Sequence, residues 1–227
     1  MKDSAEYAAR FKKLCTKIKK DFDAPDEFPL IEPLEALIDA CLSYLTTESK
    51  AKSAMKKIRS EFVDFNELRV ARHDELIMVM GKTFPQVREV IEQLTGILQS
   101  IFDKEDSLGL ETLKECGKRE AKAFLESLEH SNPYIVSSVM LHSIGAHAFP
   151  MHPAMFQMLR DQNVVNPKSD MADVQGFLER QISASEVHYM YAMLRHFTDH
   201  YKAETPTAKK TTKKATKKTT KKVAKKK

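Results

Sequence analysis

Apolar residues recur every three or four positions along almost the whole chain to about residue 200, the spacing that lines one face of an α-helix. Tyr7, Phe11, Leu14, Ile18 and Phe22 form the first stripe, with Lys12, Lys13, Lys17, Lys19 and Lys20 clustered around it. A proline-punctuated connector, DAPDEFPLIEP, leads into PLEALIDACLSYL, whose low polarity predicts a helix at the centre of the core. Residues 49–62 read as a basic helix carrying Lys50, Lys52, Lys56, Lys57 and Arg59. Asp74 is the expected N-cap of ELIMVMG, which Gly81 ends. Between Pro85 and Phe102, Val87, Val90, Ile91, Leu94, Ile97, Leu98 and Ile101 predict a long amphipathic helix, followed by short helices at 107–116 and 118–128.

Two later starts are marked by proline at the first helical position, where its missing N–H costs nothing. Asn132 is the expected cap before Pro133, opening a helix that runs to about Gly145, and His152 precedes Pro153 in the same way. Helices at 170–182 and 185–200 complete the body. No strand-like alternation is found, so roughly ten helices joined by short loops predict an all-α protein.

Composition narrows the setting. The chain is 42% hydrophobic, with six glycines and no tryptophan, which fits a globular helical body. No stretch approaches the ~18 uninterrupted apolar residues of a membrane span. The first residues, MKDSAEYAARFKK, lack an apolar signal core, and Cys15, Cys41 and Cys116 are isolated, with neither a disulfide framework nor a cysteine metal site. The expected setting is the cytoplasm, with nucleoid association in a bacterium, and no membrane partner.

Charge divides the chain in two. Of 37 Lys+Arg against 32 Asp+Glu, eleven lysines lie between Lys209 and Lys227, where no acid occurs. Removing them leaves 26 against 32, a body of −6 beside a segment of +11. The lysines are Lys209, Lys210, Lys213, Lys214, Lys217, Lys218, Lys221, Lys222, Lys225, Lys226 and Lys227, separated by Thr, Ala and one Val. Such a segment buries no apolar surface, so residues 205–227 are expected to be disordered, and its natural partner is a polyanion. Without Arg or aromatic residues it has no means of reading guanine or stacking on bases, which points to sequence-independent neutralisation of phosphates. A solubilising extension folding back on the acidic body is the plainer alternative.

The order of elements over about 30–200 resembles the helix-hairpin-helix DNA glycosylase superfamily of the endonuclease III type. PLEALIDACLSYLTTESKAKSAMKKI looks like that family's first barrel helix with its L-S-x-Q-T motif, Leu45 standing at the glutamine. Leu128 to Val136 align with the hairpin L-P-G-V-G-x-K-[ST]-A, FPMHPAMFQML with V-D-x-H-[VI]-x-R-[VL], and SASEVHYMYAMLRHFTDH with the closing P-x-E…H…L-x-x-H-G-R segment. The resemblance implies a two-lobed body: a helical barrel over 30–150 containing a hairpin at 118–145, and a second lobe in which residues 1–28 pack with helices of 151–204. It implies duplex DNA bound across the cleft, with His130, Ser131 and Asn132 in the hairpin turn facing a phosphate.

Departures from the pattern are concentrated at the chemistry. The hairpin glycines are His130 and Asn132, of which Asn tolerates a left-handed backbone, and Glu129 beside them repels phosphate. Tyr134 stands where the family's lysine attacks the sugar, and His152 where its aspartate stabilises positive charge. The cysteine ligands of the iron–sulfur cluster are absent, so no cofactor is expected. The implied function is DNA binding without glycosylase or lyase chemistry. Base excision through a carboxylate-activated water, for which Glu129 and Asp161 are candidates, is the alternative, and a protein-interaction module with an RNA-binding tail is another. Tyr134 and His152 as a substitute acid–base pair, and a metal site at His142, His147 and His152 or at His196 and His200, are weighed against ordinary packing, which is favoured. Met140, Met151, Met155 and Met158 read as core filler.

Overall fold

The computed structural model describes residues 4–23, 25 and 27–202, and among these every regular element is a helix. In chain order they are α1 (Ser4–Ile18), a 3₁₀ turn (Lys19–Asp21), α2 (Pro33–Ser43), α3 (Glu48–Glu61), α4 (Phe65–Val70), α5 (His73–Met80) and α6 (Val87–Glu105). Then follow α7 (Thr112–Glu115), α8 (Lys118–Ser127), α9 (Pro133–His142), α10 (Pro153–Asp161), α11 (Met171–Gln181) and α12 (Val187–His200). The Lys209–Lys227 segment lies outside the described residues.

Two apolar cores organise these helices. The larger runs from Ala36 to Ala146 and is built by α2 to α9. In α2, Leu37, Ile38, Cys41 and Leu42 are all completely buried, so this helix is covered on nearly every side, as its apolar sequence predicts. Each such side chain contributes about 1.5–3 kcal/mol by leaving water. The second core joins Phe11, Leu14 and Ile18 of α1 to residues of α10, α11 and α12, with Met151, Met155 and Met158 filling its centre. The connector between α1 and α2 is pinned where the cores meet: the Ile31 N–H donates to the His142 carbonyl at 2.9 Å.

Three local expectations are corrected. Asp74 does not cap α5 but lies in its first turn; Arg72 is the N-cap, its side chain bonded to Glu75 at 2.6 Å. Residues 65–70, to which the sequence pattern assigned no element, form α4, capped by Asp64, which accepts from the Glu67 N–H. Finally, α9 stops at His142, short of Gly145, whose φ of +61° belongs to the turn that follows.

Candidate nucleic-acid interface

The hairpin between α8 and α9 is shaped by its proline. Asn132 caps α9, its Oδ1 accepting from the Ile135 N–H at 3.0 Å. Because Pro133 follows, Asn132 is held extended, with φ −141° and ψ 164°. The left-handed position of the turn is therefore His130, at φ +61°, and not Asn132 as the aligned glycines suggested. His130 is held there from outside the turn. Its carbonyl accepts from Gln93 Nε2 at 3.0 Å, and its ring lies on Gly96 of α6, where an added Cβ would come within 2.4 Å of the imidazole. Gly96 is thus a seat for the hairpin. The Ser131 N–H closes the turn on the Leu128 carbonyl at 3.2 Å, and the Glu129 N–H is taken by Ser100 Oγ at 3.0 Å. Ser131 and Asn132 line a surface cavity of about 290 Å³ with Lys122 of α8, while Glu129 stays exposed beside it.

Between the two lobes lies a second cavity, of about 140 Å³, walled by Asp39 and Ser43 of α2, Lys52 of α3, Tyr134 and His142 of α9 and Tyr191 of α12. Tyr134 is only 4% exposed. Its hydroxyl sits between Ser43 Oγ and the Tyr191 hydroxyl, each at 3.1 Å, so one hydrogen-bonded chain links α2, α9 and α12. Its ring packs on Tyr44 at 5.3 Å and edge-on to His152 at 5.8 Å. Burial first, then the neighbouring Tyr134, pushes the Tyr191 phenol well above its ordinary value.

His152 is a capping residue. Its Nδ1 accepts from the Ala154 N–H at 3.1 Å, which leaves the proton of the neutral ring on Nε2. Burial, helped by the nearby Arg195 guanidinium, lowers its pKa to about 3, so it is neither a cation nor a carboxylate substitute at neutral pH. His142, on the cavity wall, is lowered to about 4 by burial and by His188. Tyr134 and His152 therefore meet in packing rather than as an acid–base couple.

Two carboxyls line the cavity, Asp39 and Glu48, and Asp39 is raised above the ordinary carboxylate range by desolvation and then by Glu48. Neither candidate from the sequence is there: Glu129 is exposed beside the hairpin, and Asp161 is exposed at the end of α10, accepting from Gln157. Asp39 was hidden among apolar neighbours in LIDACL, where only its place on the outer arc of α2 distinguishes it. Of the histidines, His147 bonds the Ile182 carbonyl at 3.0 Å and His196 stacks on His200 at 4.5 Å. No group of three or more metal-ligating side chains occurs among the described residues.

Comparison of the sequence with protein-family models and with curated proteins finds no match. Solved structures do match. A trapped endonuclease III–DNA covalent intermediate superposes with a TM-score of 0.67 at 15% identity, covering 91% of this chain and 92% of that one. A non-covalent endonuclease III–DNA complex gives 0.68 at 16% identity over 88% and 90%. The chain has the helix-hairpin-helix DNA glycosylase fold. A third structure with this fold, the H. pylori 3-methyladenine DNA glycosylase bound to 1,N6-ethenoadenine, matches at 0.61 and 13% identity over 87% and 98%.

Proposed function

We propose that this protein binds duplex DNA across its interlobe cleft and does not cut bases from sugars by an amine-and-carboxylate route. The reading is carried by one observation: the Tyr134 hydroxyl is buried and bonded on both sides, to Ser43 and to Tyr191. A nucleophile needs open access to the sugar, which this hydroxyl, on a side chain only 4% exposed and held between two others, lacks. His152 is committed to capping α10. The fold supports the DNA partner, because structures that share it are DNA complexes. The hairpin adds support through Ser131, Asn132 and Lys122 around one surface cavity.

The lysines from Lys209 to Lys227 supply most of the affinity by neutralising phosphates without reading sequence, in a cytoplasmic, chromosome-associated setting. Removing Lys209–Lys227 is expected to weaken binding to a random duplex steeply. With six to ten lysines engaged, the intact chain loses ~10³–10⁵-fold in affinity between 50 and 200 mM salt. Unchanged binding by the truncated chain refutes the role of the segment. Release of a base from a panel of lesion-containing duplexes refutes the absence of excision. One observation favours that second outcome: Asp39 and Glu48 both line the cavity, and Asp39, with its raised carboxyl, is a group that could activate water there.

A further inference from the structure

A groove of about 520 Å³ lies between α1 and α12 and is separate from the interlobe cavity. Its floor is apolar: Phe11 and Cys15 of α1, Ile182, and Met190 and Met193 of α12. Phe11, Ile182 and Met193 are at most 4% exposed, while Met190 stays half-buried at the groove surface. Methionine floors of this kind adapt to varied apolar partners. Burial pushes the Cys15 thiol up to about 12, so it serves here as a small apolar residue and not as a nucleophile.

The rim on the α1 side is cationic, while one acid, the exposed Glu186, stands at the start of α12 and accepts from Ser183 Oγ. Lys12 and Lys19 are exposed and line the groove, and neither forms an ion pair with an acid among the described residues. Lys19 lies 5.6 Å from the Tyr189 ring centroid. From Tyr7 to Asp23 the chain has six cations, Arg10, Lys12, Lys13, Lys17, Lys19 and Lys20, against two acids, Asp21 and Asp23, within a body that is acidic overall. Of these six, Lys12 and Lys19 line the groove, and none lines the Tyr134 cavity.

We infer that the α1–α12 groove is a docking site for an acidic amphipathic helix of a partner protein. Two packed helices form a trough that accepts a third by its apolar face. Lys12 and Lys19 are seven residues apart, on the order of 10 Å along a helix, so they match carboxylates spaced two turns apart on the incoming segment. Other occupants fit less well. The chain's own Lys209–Lys227 segment brings eleven more cations to a cationic rim. A second copy using the same face brings four lysines, its own Lys12 and Lys19 included, against only two glutamates, Glu186 of each copy. A nucleic-acid backbone has no use for the Phe11, Met190 and Met193 floor.

The test uses the full chain and a fluorescein-labelled helical peptide of about 15 residues, with leucines at i, i+3, i+4 and i+7 and two glutamates seven residues apart. Saturable binding by anisotropy is expected. It weakens at least about tenfold in Lys12→Glu/Lys19→Glu, which alters only exposed side chains, and similarly in Met190→Glu, while duplex DNA affinity stays unchanged in both. Absence of saturable peptide binding overturns the inference, as does binding that survives the double charge reversal. Weakened DNA affinity in the lysine variant assigns the face to nucleic acid, and a dimer abolished by Met190→Glu assigns it to a second copy. Either result also overturns the inference.

Discussion

The guanidinium of Arg195, on the last helix, donates to the backbone carbonyl of Ser43, 152 positions earlier, at 3.3 Å. The same group bonds the Thr46 carbonyl and pairs with Asp199 at 3.3 Å, and Asp199 in turn accepts from the Glu48 N–H at 2.8 Å. This ion pair thereby serves the Thr46 carbonyl and the Glu48 N–H at the start of α3, and adds a second donor to the Ser43 carbonyl, which also accepts from the Thr46 N–H. Arg195 is fully buried, so truncation leaves the Asp199 charge without its counter-ion and the Thr46 carbonyl without this donor. Arg195→Ala is expected to cost about 3–5 kcal/mol in urea unfolding, and a loss below ~1 kcal/mol contradicts the role given to this pair.

Tyr134→Phe removes a hydroxyl that is bonded twice while keeping the ring. A loss of about 1–2 kcal/mol in thermal or urea unfolding is expected, with duplex affinity within twofold of the parent. A variant as stable as the parent shows that the hydroxyl chain does not hold the lobes together.

The hairpin seat can be tested by a pair of substitutions. Gly96→Ala drives a methyl group into the His130 ring, so stability and duplex affinity should both fall, the former by at least about 1 kcal/mol. His130→Gly suits the left-handed turn and removes the ring. Adding it to Gly96→Ala should recover most of the loss. Additive effects of the two changes in a double-mutant cycle rule out the contact as the cause.

Acid sensitivity follows from the buried imidazoles. His152 and His142 take up protons near pH 6.5 when unfolded but only near 3 and 4 in the fold. The stability that depends on their neutrality is complete above pH 6.5 and drains away as pH falls towards those values. His152 alone loses roughly 2–3 kcal/mol by pH 4. Asp39 acts with opposite sign: its raised carboxyl binds protons more readily in the fold, so its cost appears as pH rises. Melting temperatures from pH 7 to 4 should fall, and His152→Gln should flatten the curve. An equal slope in that variant removes His152 as a cause.

Where periodicity and capping chemistry agreed, the sequence was sufficient. Asn132 with Pro133, and His152 with Pro153, start their helices where residue types require, and the stripe from Val87 to Ile101 became α6. The left-handed turn residue was not legible, because it depends on Gly96, more than thirty positions away in α6, and on the proline that excludes Asn132. Nor was the Asp39 cavity legible. Its walls come from α2, α3, α9 and α12, so no spacing within one segment encodes it. Asp74 was misread because an acid in a first turn and an acid at a cap look alike until the backbone is traced.

Arg195 and Asp199 tie α12 to both sides of the α2–α3 turn. On the proposed reading, such a tie resists movement between the jaws and shifts the burden of fitting to the nucleic acid, which would kink or open to follow the protein's contour. Nicked or gapped duplexes yield more easily than intact ones, and we expect them to be gripped more tightly at equal length and charge. Equal affinity for the two would mean that the jaws, and not the double helix, do the yielding.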